Sequence, residues 1–264
     1  RQAVTTNEVS CCAAMSVCEK AGQWSQALAL MEEVSVARLR QHIICSNVLI
    51  SAVDNEHRWE LGLYLLLGAS LKGLRPDATT WNSAVSACEG GLQWRMALDL
   101  LHALPCRGVR TDLVSFNSAL SACDLSQCWE LALGLSRASW NAGLELETIG
   151  LNALLSACAR QACWEQVITQ LQDAVLRRLQ LDVLSYNTAV DACRRGRCCN
   201  HAFQLFSDME HDQLCSDATS HAAILKACEE GHRPKHAPRL LERCAALGLA
   251  ASIPSQRPTD RERQ

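Results

Sequence analysis

The chain has 264 residues, of which 48% are hydrophobic and 5% aromatic, with only 6 prolines. A sheet-based fold would need more β-branched and aromatic side chains, so this Leu- and Ala-rich composition favours helices. The 25 Lys and Arg residues against 28 Asp and Glu residues give a net charge of −3, which is unfavourable for binding a polyanion. No apolar run reaches the roughly 18 residues of a transmembrane helix. We therefore expect an all-α protein that does not enter a membrane.

The sequence repeats itself every 35 residues. A cysteine series has this spacing, with Val53 at its single gap: Cys18, Cys88, Cys123, Cys158, Cys193 and Cys228. A tryptophan series keeps the same register: Trp24, Trp59, Trp94, Trp129 and Trp164. So do an asparagine series (Asn47, Asn82, Asn117, Asn152 and Asn187) and an acidic series (Asp77, Asp112, Glu147, Asp182 and Asp217). Such a period indicates a repeat architecture.

Boundaries placed after each acidic residue divide the chain into repeats. Seven repeats result, 8–42, 43–77, 78–112, 113–147, 148–182, 183–217 and 218–252, followed by a polar tail over 253–264. Residues 1–7 end a preceding repeat, so we expect the chain to be a piece of a longer protein.

Each repeat is predicted to be a helical hairpin. In repeat 78–112, apolar residues at helical spacing over 81–88 predict a first helix, and Gly90 and Gly91 predict a break. The apolar face of 94–104 predicts a second helix. Glycines that recur after the second helix suit a left-handed closing residue: Gly73, Gly108, Gly143 and Gly248. One hairpin cannot bury its apolar face alone, so the repeats should stack into a solenoid with the first helices lining its concave surface.

A unit reading roughly T-W-N-S-A-V-S-A-C, then W-x-x-A-L, then G-x-x-x-D resembles the P-type pentatricopeptide repeat. The tetratricopeptide repeat has a period of about 34 residues. Cys228 follows Cys18 by six periods of 35 residues, and a pattern with a 34-residue period would be out of register with it. The resemblance covers nearly the whole chain. It implies an all-α, right-handed α-solenoid (superhelix) of about seven helix–turn–helix repeats.

The resemblance also implies a function. Members of the family bind single-stranded RNA in organelles, the mitochondrion or the plastid, where they act in RNA processing, stability or translation. One base is read per repeat, by the fifth residue of the first helix together with the last residue of the repeat. The base-selecting pairs here would be Asn47 with Asp77, Asn82 with Asp112, Asn117 with Glu147, Asn152 with Asp182, and Asn187 with Asp217. An Asn and Asp pair implies a preference for uracil, and the longer Glu147 implies looser reading.

The second residue of each repeat would, by the same resemblance, sandwich the bases. These residues are mostly apolar: Val9, Ile44, Thr79, Val114, Ile149, Leu184 and Thr219. The end pairs, Cys12 with His42 and Ala222 with Ser252, fall outside the family's usual code, so the end repeats should not specify a base.

Two features bear on phosphate binding. Acidic residues follow the cysteine series where the family often has Lys or Arg, and they should repel RNA: Glu19, Asp54, Glu89, Asp124 and Glu229. A basic stretch is present only in the later repeats, at Arg160, Arg194, Arg195 and Arg197. We therefore expect few phosphate contacts and a shallow salt dependence.

Several alternatives stay open. The asparagine series could cap helices instead of reading bases. The cysteine series, on an apolar helix face with no C-x₂-C pair, is expected to be buried and reduced, with no metal site. The tryptophan series is expected in the core. No catalytic motif or cofactor-binding motif is present, so we expect neither an enzyme nor a cofactor, and no small-molecule substrate. A helical-repeat scaffold that binds other proteins is the alternative function.

Overall fold

The computed structural model describes residues 8–36 and 43–230, and there it is all helical, as predicted. Thirteen helices lie in these residues: α1 (Glu8–Lys20), α2 (Trp24–Val36), α3 (Ile43–Asp54), α4 (Trp59–Leu71), α5 (Ala78–Gly90), α6 (Trp94–Cys106), α7 (Leu113–Leu125), α8 (Trp129–Asn141), α9 (Thr148–Arg160), α10 (Trp164–Leu176), α11 (Val183–Arg195), α12 (Cys199–His211) and α13 (Ala218–Glu230). None of them is long and apolar enough to cross a membrane. Residues 1–7, His42, Gly248, Ser252 and the tail 253–264 lie outside the described residues.

The odd-numbered first helices begin where the acidic series places a capping group. Asp77, Asp112 and Asp182 are the N-caps of α5, α7 and α11, and each carboxylate accepts a hydrogen bond from the backbone N–H three residues later. Such a cap satisfies one of the free N–H groups of the first turn. Its negative charge also interacts favourably with the positive end of the helix dipole. The acidic series thus has a local structural role in addition to any role in binding.

The tryptophan series begins the second helices but is half-buried, so the prediction that it belongs to the core was too strong. Its members pack between consecutive repeats instead. A Cβ atom on Gly91 would fall 2.2 Å from Cδ1 of Trp59, and one on Gly196 would fall 2.2 Å from Cδ1 of Trp164. Each of these indole rings therefore lies directly on the backbone of the following repeat, at a position that only glycine fits.

The break predicted at Gly90 and Gly91 is displaced. Helix α5 runs through Gly90, Gly91 has a φ of −82°, and the left-handed residue is Leu92, with a φ of 58°. The glycines are needed for close packing, since a Cβ on Gly90 would lie 2.1 Å from Nδ1 of His57. The predicted left-handed glycines at the ends of second helices are confirmed in the described residues: Gly73, Gly108 and Gly143, with φ of 75°, 73° and 74°.

The chain divides into two compact units, residues 1–157 and 158–264. In the first, α1, α3, α5 and α7 pack against one another in succession, and each also packs against the second helix of its own repeat. In the second, α11 packs against α10, α12 and α13. Consecutive first helices therefore bring the start of one repeat next to the start of the following one.

Four members of the cysteine series lie in the core, whereas Cys18 is only half-buried. Cys88, Cys123, Cys158 and Cys193 are fully buried. Burial raises the pKa of the Cys88 thiol to about 11 and that of the Cys123 and Cys193 thiols to about 12. These thiols stay protonated at neutral pH and pack as small apolar groups.

One pair of cysteines departs from the expectation that all stay reduced. Cys12 and Cys45 form a disulfide, with Cα atoms 5.3 Å apart. Cys12 is the fifth residue of repeat 8–42, and Cys45 is the third residue of the next repeat. The sequence could not reveal the bond because 33 residues separate the two cysteines, and only the packing of α1 against α3 brings them together.

Candidate functional site

The fold brings three members of the asparagine series against members of the acidic series. Nδ2 of Asn82 donates a hydrogen bond of 2.9 Å to Oδ2 of Asp112. The equivalent distance to a carboxylate oxygen is 3.2 Å from Asn47 to Asp77 and 3.4 Å from Asn187 to Asp217. Each Asn lies on a first helix and each Asp caps the next first helix, so the packing of consecutive first helices creates the pair.

These contacts remove the capping alternative for the asparagine series. Asn82 is the fifth residue of α5, whereas Asp77 is the N-cap of that helix. Asn187 stands in the same relation to Asp182 and α11. The first-turn N–H groups are thus served by the acidic series, and the Asn side chains point across to the next repeat.

A third group belongs to this arrangement and was missed in the sequence. The third residue of a repeat carries a hydroxyl in five cases, Ser10, Thr80, Ser115, Ser185 and Ser220. Oγ1 of Thr80 donates to Oδ1 of Asn47 at 2.6 Å, and Oγ of Ser115 donates to Oδ1 of Asn82. The 35-residue spacing of these hydroxyls was the available signal, but Cys45 and Gly150 interrupt it.

Repeat 113–147 lacks this arrangement. The third residue of the next repeat is Gly150, which has no hydroxyl, and Oδ1 of Asn117 is buried without a hydrogen-bond partner. A Cβ on Gly150 would lie 2.3 Å from that oxygen, so the amide occupies the space that a side chain fills elsewhere. In the described part of the chain, no hydrogen bond joins Asn117 to the exposed carboxylate of Glu147.

Asn152 and Asp182 lie in different compact units, the first ending at Ala157 and the second beginning at Cys158. Within its own unit, Asp182 accepts hydrogen bonds of 2.8 Å from both the backbone N–H and the hydroxyl of Ser185.

The hydrogen bonds keep the carboxylates ionised. Partial burial alone would raise the pKa of Asp77, but bonds donated by Thr79, Thr80 and Asn47 lower it to about 2. The pKa of Asp217 is about 2 for the same reasons. The pKa of Asp112 is also below its ordinary range, because bonds from Ser115 and Asn82 outweigh its burial. Each carboxylate is therefore an acceptor at neutral pH and fixes where the Asn N–H points.

The predicted base-sandwiching residues are exposed beside these pairs. Ile44, Val114, Ile149 and Leu184 are 57% to 66% exposed, and Thr79 is also exposed. Thr79 shows how near this position lies to the preceding Asn, because its hydroxyl accepts a bond of 3.0 Å from Nδ2 of Asn47. The side chain of Val9 lies outside the described residues. Exposed apolar side chains next to an amide and a carboxylate form a surface that flat, partly polar groups can contact.

The acidic residues that follow the cysteine series do not all project toward a ligand. Asp54 accepts a hydrogen bond from Ser86, and Glu89 accepts bonds from Ser118 and Ser121, so both carboxylates reach across to the next first helix. Burial raises the pKa of both groups. The predicted repulsion of RNA is therefore weaker here than the sequence suggested.

Arg194, assigned in the sequence to a basic stretch, is held in ion pairs. Its guanidinium lies 2.7 Å from Asp191 and 2.8 Å from Glu230, and its side chain is only 14% exposed. Arg195 is also paired with Asp191. The Arg194 charge of the predicted basic stretch is thus balanced by acidic groups of its own repeat and of the following one.

Within residues 8–36 and 43–230, no group of three or more His, Cys, Asp or Glu side chains could hold a metal ion. The groups observed on the first helices are amides, carboxylates, hydroxyls and exposed apolar side chains. Such a set suits hydrogen bonding and stacking.

Comparison with known proteins agrees with this fold. The family model described as PPR repeat matches residues 184–214. No curated protein matches the chain. The chain is similar to the solved structure of the pentatricopeptide repeat protein PPR10 from maize, at 17% identity and a TM-score of 0.61, covering 97% of this chain and 40% of that one.

Two further solved structures are similar. PPR10 in complex with an 18-nt psaJ RNA element is 16% identical, with a TM-score of 0.54, over 94% of this chain and 41% of that one. The PPR domain of Arabidopsis thaliana protein-only RNase P 1 in complex with tRNA is 15% identical, with a TM-score of 0.56, over 66% of this chain and 89% of that one. This chain spans about two fifths of the PPR10 chains. The fold, the match of the PPR repeat model to residues 184–214 and the 35-residue register thus make this chain similar to pentatricopeptide repeat proteins.

Proposed function

We propose that this chain binds single-stranded RNA through its first helices, one base per repeat, with repeats 43–77 to 183–217 as the readers. The observation that carries the proposal is the bond from Asn82 to Asp112, set beside the exposed side chain of Val114. The similar PPR10 and RNase P 1 structures contain RNA, which supports the same class of ligand for this fold.

The chemistry of Asn82 supports a preference for uracil. Its Nδ2 gives one proton to Asp112, and its Oδ1 accepts one from Ser115. One N–H and one lone pair remain for a ligand. Uracil presents an acceptor, O4, next to a donor, N3–H, so it can match both groups at once. Reading one base with a few side chains of a helical repeat is an established recognition mode.

Stacking would supply the rest of the affinity. Base stacking on aromatic side chains contributes roughly 1–3 kcal/mol per base, and aliphatic residues such as Ile149 contribute less. With a net charge of −3, phosphate attraction is a minor source of affinity. We therefore propose a short, U-rich site of about five bases bound mainly by base contacts.

We further propose that the protein acts in an organelle, the mitochondrion or the plastid, in RNA processing, stability or translation, and that binding rather than catalysis is the task of these repeats. No cofactor or small-molecule substrate is part of the proposal.

The test compares U-rich, A-rich and G-rich single-stranded RNA in a direct binding assay. We expect tightest binding to the U-rich RNA, and equal or absent binding to all three would contradict the proposal. Replacement of Asn82 and Asn152 with Thr should shift the preference toward guanine. The Val114→Glu variant is a second check, because a carboxylate at an exposed stacking position should weaken binding without disturbing the core.

A protein-binding scaffold is the second candidate, and one observation favours it. An apolar groove between α10 and α12 is lined by Ile168, Leu171, Val175 and Leu205, and Leu176 nearby is 80% exposed. Exposed apolar surface of this kind is typical of interaction sites. A partner that survives ribonuclease treatment, and is lost in Val175→Glu but kept in Val114→Glu, would favour this function.

A further inference from the structure

We propose that the hydroxyl at the third position of a repeat determines whether the preceding repeat distinguishes uracil from cytosine, and that repeat 113–147, which lacks this hydroxyl, accepts both. This inference rests on the proposed RNA-binding function and adds a specificity-determining group to it. Its evidence is a comparison of Asn82 with Asn117, which lie in consecutive repeats of the same compact unit.

The amide of Asn82 is held in one orientation from both sides. Asp112 accepts from Nδ2 at 2.9 Å, and Ser115 donates to Oδ1. A rotation of the amide by 180° would place its oxygen against the carboxylate and its NH₂ against the hydroxyl that now donates. The bond to Asp112 would be lost, because a carboxylate only accepts, and the Ser115 hydroxyl would have to turn its proton from the amide to Oδ1 of Asp112, which lies 3.0 Å away. The donor and the acceptor that face the ligand therefore keep a fixed order.

This order separates the two pyrimidines. Uracil offers the acceptor O4 next to the donor N3–H, whereas cytosine offers the donor N4–H next to the acceptor N3. An amide locked in one orientation matches only one of these edges. An amide that can turn over matches either of them.

Asn117 has neither constraint. Gly150 provides no hydroxyl, Oδ1 of Asn117 is buried without a partner, and the carboxylate of Glu147 forms no hydrogen bond to this amide in the described residues. A turned amide would have no better partner at Gly150, so the protein does not favour one orientation. The exposed second residues are similar in the two sites, Val114 beside Asn82 and Ile149 beside Asn117. The difference between the two repeats is thus confined to the groups that fix the amide.

The position of repeat 113–147 allows a test that is independent of RNA polarity. It is the central member of the five proposed readers, so it faces the middle base of a five-uracil tract in either direction. Equilibrium binding is measured for an RNA with five uracils between adenines and for versions with cytosine at the second, third or fourth uracil. We expect cytosine at the third position to change Kd by less than about twofold. At the second or fourth position, one of which faces Asn82, cytosine should weaken binding about tenfold.

Two matched double variants isolate the hydroxyl. Gly150→Ser with Glu147→Asp supplies both groups that hold Asn82, and Gly150→Ala with Glu147→Asp differs from it by a single oxygen atom. The Cβ added in both variants displaces the end of the Asn117 side chain and lies 3.1 Å from Cδ2 of the buried Leu146, so the crowding is the same in the two variants. We expect the Ser variant, and not the Ala variant, to gain an approximately tenfold preference for uracil at the third base. The measured quantity is the ratio of two affinities, which a general loss of stability would not change.

A variant in the opposite direction covers the case in which the double variants fail to fold. Ser115→Ala removes the hydroxyl from Asn82 and should abolish discrimination at the second or the fourth base. If cytosine at the third base weakens binding of the unmodified chain as much as elsewhere, or if Ser115→Ala keeps full discrimination, the inference is wrong while RNA binding stands. If five uracils bind no better than five adenines, the proposed function itself fails.

Discussion

The disulfide between Cys12 and Cys45 occupies the place that Asn82 and Ser115 occupy two repeats later. In both pairs the fifth residue of one repeat meets the third residue of the next, 33 positions further along. A covalent bond thus replaces a polar contact at the first junction, and repeat 8–42 is attached to its neighbour without a base-reading side chain.

Removal of this bond should lower stability. In the chain-entropy model, closing a loop of this length contributes roughly 3 to 4 kcal/mol to the free energy of unfolding. We expect Cys12→Ser to lower the urea midpoint, and dithiothreitol to lower it in the unmodified chain but not in this variant. Cys106 is exposed and free, so Cys106→Ser is the control and should change nothing. An unmodified chain whose midpoint is insensitive to dithiothreitol would contradict this prediction.

The carboxylates of Asp77 and Asp217 should make stability fall at low pH. Their pKa values are lowered to about 2, against an ordinary value near 4 for aspartate. A lowered pKa in the folded state stabilises the fold above the ordinary pKa, and this contribution is lost as the pH falls from about 4 toward 2. Asn also caps helices but does not ionise in this range. Urea unfolding should therefore show Asp77→Asn to be less stable at pH 7, with the difference shrinking toward pH 2. A difference that is constant with pH would contradict this assignment.

Much of the architecture could be read from the sequence, because a repeat shows which positions are equivalent. Trp94 begins a second helix and Asp112 caps a first helix, and both positions recur along the chain. Such helix starts can be predicted from local sequence. Equivalence does not reveal which positions touch. Asn82 meets Ser115 only through the packing of α5 against α7, and Arg194 meets Glu230 through the packing of α11 against α13. The partners of these hydroxyls and the ion pair of Arg194 join consecutive repeats, so the sequence of a single repeat could not predict them.

The turn at Leu92 offers a stabilising substitution. This residue has a φ of 58° and is exposed, so its side chain gains little from packing. A left-handed conformation costs a residue with a Cβ about 1–2 kcal/mol, part of which glycine loses again as chain entropy. Leu92→Gly should raise the free energy of unfolding by about 0.5–1 kcal/mol.

Gly108 provides the matched control for this turn. It has a φ of 73°, and a Cβ there would have no neighbour within 4 Å, so Gly108→Ala tests conformation alone. We expect this substitution to lower the free energy of unfolding by about 1 kcal/mol. Leu92→Gly and Gly108→Ala should thus move the urea midpoint in opposite directions, and a shift of both in the same direction would refute the explanation.

The ion pairs of Arg194 lead to a prediction about salt. A protein that contacts single-stranded RNA phosphates loses about 0.7 from the slope of log K against log salt for each contact removed. Because the guanidinium is occupied by Asp191 and Glu230, Arg194→Gln should leave this slope unchanged. The same variant should lower stability by up to about 1 kcal/mol, since the pairs are only partly screened by solvent. Glu230→Gln removes one partner while keeping the arginine, and it should lower stability by a similar amount without steepening the salt dependence. A drop in slope of about 0.7 in Arg194→Gln would mean that RNA phosphate displaces the two carboxylates, and Arg194 would then belong to the binding surface after all.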